Sequence, residues 1–166
     1  MSTVFSLEER IDRLRLIRTE NVGPITFRQL IARFGTAQEA IKALPLLARR
    51  GGRARPLVPP DRAAIAGELE VLASLGGRAL FLGEADYPRA LAQIEDAPPV
   101  LSALGQPQLL TRRMVGVVGA RNASLIGKRL AESFASELAA AGVVVVSGLA
   151  RGIDASAHAG ALTGGT

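Results

Sequence analysis

The chain of 166 residues predicts an α/β protein: a small helical bundle followed by the opening of a doubly wound parallel sheet. Two observations carry that expectation. Up to Pro45 the apolar positions recur only at helical spacing. Later, two continuous apolar runs, "MVGVVG" from Met114 and "VVVVSG" from Val143, bracket one long amphipathic stretch, the pattern of parallel strands joined by a crossover helix.

Taken in order, Ser6 and Glu9 form a capping box, and Leu7, Ile11, Leu14 and Ile17 mark a first helix ending near Thr19. Asn21-Val22-Gly23-Pro24 is a turn signal; Phe27, Leu30, Ile31 and Phe34 mark a second helix that Gly35 stops. Thr36 with Glu39 opens a third helix, with Ala37, Ala40, Ile41 and Leu44 as its stripe and Pro45 as its end. Arg49 to Pro60 mixes Arg, Gly and Pro without period and reads as a linker or mobile basic loop. A helix over 61–75, a strand in "RALFLG", a short helix begun at Pro88 and a strand in "PPVLSALG" follow. The amphipathic helix is expected from Ser124 to Ala141 with Leu130, Phe134, Leu138 and Ala141 on its packed face. A last helix begins in "RGIDASAHAGAL". The expected division is a helical domain over 1–60 and an α/β domain over 61–166. A doubly wound sheet normally has more strands than this, so the chain is expected to be part of a longer protein, cut inside the second domain.

Composition narrows the chemistry. There is no cysteine and one histidine, which excludes disulfides, thiolate metal sites and a His-rich metal centre. No apolar run approaches a membrane span, no export signal opens the chain, and a cytoplasmic location is expected. Residues 1–60 hold 11 Lys/Arg against 5 Asp/Glu, 61–110 hold 3 against 7, and 111–166 hold 6 against 3. Two basic lobes around an acidic middle suit a polyanionic partner and equally a solvated basic surface.

The segment "VVGARNAS", Val117 to Ser124, lies where a strand feeds a helix and reads as a phosphate loop. Gly116, Gly119 and Gly127 do not match the dinucleotide G-x-G-x-x-G, and the second strand ends without an acidic residue. A triphosphate loop fails too, because seven residues separate Gly119 from Gly127-Lys128 and Arg129 stands at the hydroxyl position. What remains uses two helix starts at one sheet edge. Gly119, Ala120, Arg121, Asn122 and Ser124 come from the first loop, Ser147, Gly148, Ala150, Arg151 and Gly152 from the second, with Lys128 one turn into the helix. Free N–H groups and dipole ends could converge there on one anion, and Arg121 brings a fork of donors matched to phosphate. The glycines also suit plain tight turns, Ser124 an ordinary N-cap, Asp154 a first-turn helix residue, and Lys128 and Arg129 a solvated face. His158 lacks a nucleophile or metal partner and reads as structural.

The paired loops, above all "SGLARGIDASAH", resemble the DNA-processing protein A (DprA, or Smf) family. "DYP" and "PPVL" upstream are similar to that family's lead-in to its Rossmann-like domain, and "VGPITFRQLIARFG" to its small helical domain of sterile-alpha-motif type, with a helix-hairpin-helix-like turn at Val22-Gly23-Pro24. The resemblance implies a non-enzymatic bacterial protein without cofactor or metal. It would bind and protect incoming single-stranded DNA in natural transformation, help load a RecA-type recombinase, and dimerise when full length. It carries the family's glycine-x-arginine pocket onto Arg121 and its second loop onto Ser147 to Gly152. Dimer and recombinase contacts would lie beyond Thr166. The alternative is a nucleoside-monophosphate phosphoribohydrolase of the lysine-decarboxylase-like group, although its Pro-Gly-Gly-x-Gly-Thr motif is absent and "TGGT" is a faint echo.

Overall fold

A computed structural model describes residues 4–50 and 55–166. The chain divides into two compact units, Met1–Gly105 and Gln106–Thr166. That division differs from the one expected at residue 60, because the helix and two strands that follow residue 60 pack with the helical bundle.

In the first unit, α1 (Leu7–Ile17), α2 (Pro24–Phe34) and α3 (Ala37–Arg50) form the bundle. The Ser6 hydroxyl accepts from the Glu9 N–H and Asp61 caps α4 (Arg62–Ser74) by accepting from Ala63, the N-terminal capping that free amides of a first turn require. α1 is the central helix. Leu16 faces Phe27, Leu30, Ala40 and Leu44 of α2 and α3, while Ile11 and Leu14 face Ile65 of α4. Leu7, expected on the packed stripe, is exposed.

Pro45 does not end α3. The helix runs through it to Arg50, because Leu44, Leu47 and Ala48 continue the buried stripe and their burial offsets the lost N–H and ring crowding, together about 3 kcal/mol. The expected basic linker is corrected in part. Residues 51–54 lie outside the described residues, but Leu57 packs on the bundle core and the Pro60 carbonyl accepts from Arg15 Nε at 2.8 Å. β1 (Arg78–Phe81) and β2 (Val100–Ala103) pair antiparallel, Arg78 opposite Ala103. Between them, on either side of the short α5 (Arg89–Ala92), the buried Tyr87 hydroxyl donates to the Pro98 carbonyl at 2.7 Å and ties "DYP" to "PPVL".

The second unit holds a 3-10 turn (Pro107–Thr111), β3 (Met114–Gly116), α6 (Leu125–Ala140), β4 (Val144–Val146) and α7 (Ile153–Ala161). β3 and β4 pair parallel, Met114 opposite Val144, as the β-α-β pattern demands. The packed face of α6 is not the expected one. Ala131, Ala135 and Ala139 are buried, with Ala157 and Ala161 of α7 completing the cluster, whereas Leu130 and Phe134 are more than half exposed. Small residues win because α6 and α7 approach backbone to backbone. A Cβ on Gly160 would strike the Glu132 carbonyl, and one on Gly164 would come within 2.6 Å of the Ala139 carbonyl. β3, expected to be buried, has half-exposed and exposed residues; it has one strand neighbour among the described residues. The far edge of β4 takes the chain end, where Val145 N–H donates to Gly165 O at 3.1 Å.

Candidate nucleic-acid interface

β3 and β4 run parallel, so the loops that follow them, residues 117–124 and 147–152, open at one edge of the sheet. They interlock. Gly152 has φ +92°, and a Cβ there would collide with the carbonyls of Ala120 and Arg121; a Cβ on Gly119 would lie 2.6 Å from the Ile153 side chain. Ile153 N–H donates to Ala120 O at 3.3 Å, and Ser147 Oγ donates to Val117 O at 2.7 Å. Glycine is required at Gly152 twice over, by its left-handed backbone and by the neighbouring carbonyls.

The structure therefore sorts the eleven residues expected at the site. Gly119, Ser124, Ser147, Gly148 and Gly152 are committed to the framework. Ser124 caps α6 by accepting from Gly127 N–H at 3.1 Å, and Gly152 is buried between the loops. Gly148, expected to let the backbone come close to a ligand, has its N–H engaged within the loop, donating to the carboxylate of Asp154 at 3.1 Å. The groups left over are the ones that can meet a ligand. Among the described residues, the amides of Ala120, Arg121, Asn122, Ala150 and Arg151 have no hydrogen-bond partner. The side chains of Arg121, Asn122, Lys128 and Arg151 are exposed, and none of the three cations forms an ion pair. A cluster of unpaired donors and cations around two helix starts is suited to holding an oxyanion.

Two features escaped the sequence reading. Leu149 is left-handed, with φ +54°, and its side chain is 80% exposed. Asp154 is buried and reaches back six residues; an acid in a first turn ordinarily signals only a helix dipole, so the pattern held no cue to this contact. His158 stands apart from the loops' chemistry. Thr166 Oγ1 donates to Val145 O at 2.9 Å and so accepts from His158 Nδ1–H at 2.6 Å, which pins the ring against the chain end.

No group of three or more His, Cys, Asp or Glu close enough to hold a metal occurs among the described residues. No helix among them is long and apolar enough to cross a membrane.

Both parts of the chain resemble known proteins. Residues 78–166 match the family described as DNA recombination-mediator protein A, and residues 7–71 match a DprA-like N-terminal HHH domain. The DNA processing protein DprA of Bacillus subtilis is 43% identical over 77 residues, 46% of this chain and 26% of that protein. Protein Smf of Synechocystis is 32% identical over 162 residues, 87% of this chain and 39% of that protein. The X-ray structure of DNA processing protein A from Streptococcus pneumoniae aligns with a TM-score of 0.55 at 35% identity, covering 64% of this chain and 36% of that one. The chain thus spans about a quarter to two fifths of the length of these relatives. With more than half of its residues matched in a single stretch that includes both loops, the chain belongs to the DNA recombination-mediator protein A family.

Proposed function

We propose that this chain supplies the phosphate-holding part of a single-stranded DNA-binding protein that acts in natural transformation, where it protects incoming strands and assists a RecA-type recombinase. The carrying observation is the edge where Arg121, Lys128 and Arg151 are exposed and unpaired beside the free amides of two interlocked loops. The names of the relatives and the family description support a role on DNA. The pocket is one of binding rather than turnover and takes no cofactor. Arg121, with its planar fork, is the principal phosphate contact; Lys128 and Arg151 add charge, and Ala120, Asn122 and Ala150 add donors. Recombinase contact, dimerisation and cytoplasmic residence are properties proposed for the whole protein.

The test is a titration of the full chain with single- and double-stranded oligonucleotides over a range of salt. Binding is expected to weaken linearly in log-log form with salt. Arg121→Ala is expected to weaken single-strand binding about tenfold and to lower the salt slope by about 0.7. Unchanged affinity and slope in that variant would remove the pocket assignment.

A further inference from the structure

The second loop contains a conformation that its own residues do not favour. Leucine in the left-handed region costs about 1–2 kcal/mol, so Leu149 at φ +54° must be held there by its surroundings. Two hydrogen bonds bracket it. On one side Gly148 N–H donates to Asp154 Oδ2 at 3.1 Å; on the other Ala155 N–H donates to Ala150 O at 3.0 Å. The first bond is accepted by the carboxylate of Asp154, a residue 6% exposed that makes no ion pair among the described residues. The fit is close: a Cβ on Gly148 would stand 3.0 Å from that same Oδ2, so the carboxylate would have to give by a few tenths of an ångström.

We infer that Asp154 is a positioning residue for the phosphate loop, a buried strut that fixes Gly148–Gly152 so that the amides of Ala150 and Arg151 stay unpaired for the strand. The inference rests on the single-strand reading of the site. It runs against simple electrostatics, because a buried negative charge beside a phosphate site opposes the ligand. Its geometric contribution must outweigh that repulsion, and the two contributions separate by substitution. Asparagine keeps an oxygen for Gly148 N–H and removes the charge; alanine removes both.

The experiment measures oligothymidylate affinity against salt for the full chain, together with hydrogen exchange at the Gly148 amide and thermal unfolding. Asp154→Ala is expected to bind about tenfold more weakly, with the parent's salt slope and fast exchange at Gly148. Asp154→Asn is expected to bind as tightly as the parent or more tightly, with Gly148 still protected. Gly148→Ala, which pushes directly on the carboxylate, is expected to weaken binding while the chain stays folded. Parent-like affinity in Asp154→Ala, or an Asp154→Asn variant as weak as the alanine, would overturn the inference. Should Asp154→Ala not fold, the asparagine and Gly148→Ala arms still decide it. Arg121→Ala runs alongside: if it changes nothing, the pocket reading fails, whereas Gly148 exchange continues to report on the strut itself.

Discussion

The first helix and the paired loops use arginine in opposite ways. In the first, Arg10, Arg13 and Arg15, together with Arg18 just past the helix end, each pair with an acidic side chain. Arg10 grips Glu84 with contacts at 2.8 and 3.0 Å, Arg13 pairs with Glu9 and lies 3.7 Å over the Phe5 ring, Arg15 pairs with Asp12, and Arg18 pairs with Glu68. Asp12 is buried and also receives Arg62 of α4. In the second unit, Arg121, Lys128, Arg129 and Arg151 are exposed and unpaired among the described residues. Residues 1–60 hold 11 Lys/Arg against 5 Asp/Glu and residues 111–166 hold 6 against 3, yet the arginines of α1 are engaged as struts while those of the loops stand free for a ligand. Net charge of a segment therefore says little about binding until the internal partners are known.

That contrast can be broken at either end. Gly152→Ala should do the most damage. It forces a side chain into a left-handed position and against the Ala120 and Arg121 carbonyls, costing roughly 4 kcal/mol between strain and overpacking. Unfolding of the second unit at lower temperature, with single-strand binding lost, is the expected result; an unperturbed melt would show the loops are not interlocked. Glu84→Ala comes next. It strips partners from Arg10 and from Phe5 N–H, and a loss of about 3 kcal/mol is expected for a buried acceptor of this kind. DNA affinity at the second unit's loops should not change, and a matching fall in affinity would erase the distinction between the units.

Arg13→Lys is a finer probe, since lysine keeps the charge but loses the planar stack between Phe5 and Phe27. Denaturant unfolding should register about 1 kcal/mol of destabilisation. Lys128→Ala is its mirror image in the second unit. Stability should move by less than about 0.5 kcal/mol, while the salt slope for single strands falls by about 0.7; a shifted melting temperature with no change of slope would make Lys128 a strut after all.

The smallest effect concerns pH. Burial raises the Tyr87 phenol above 10.0, with the Arg28 charge opposing in part. The folded state then keeps a proton that the unfolded state releases, so the contribution is complete below pH 10 and is lost as the pH climbs through the higher folded value. Alkaline titration of stability should show that decline, and Tyr87→Phe should remove it, at the expense of the Pro98 hydrogen bond.

Much of the architecture is legible in one dimension because it depends on local rules. The caps at Ser6 and Ser124, the turn at Asn21 to Pro24 and the parallel pairing of β3 with β4 follow from capping chemistry and periodicity. The paired loops were legible as well, since a strand feeding a helix places each of them at the same edge. Two readings failed where packing decided the outcome. Pro45 is overruled by the burial of Leu44 and Ala48, and Phe134 is displaced from the packed face by the approach of α7 at Gly160.

The sequence by itself determined the order of elements, the crossover and the family, because each is written in spacing along the chain. Only the tertiary structure decided which cations and amides remain free. A donor is available to a ligand when nothing inside the fold has taken it, and what takes it can be a residue far away in sequence, as Glu84 is from Arg10.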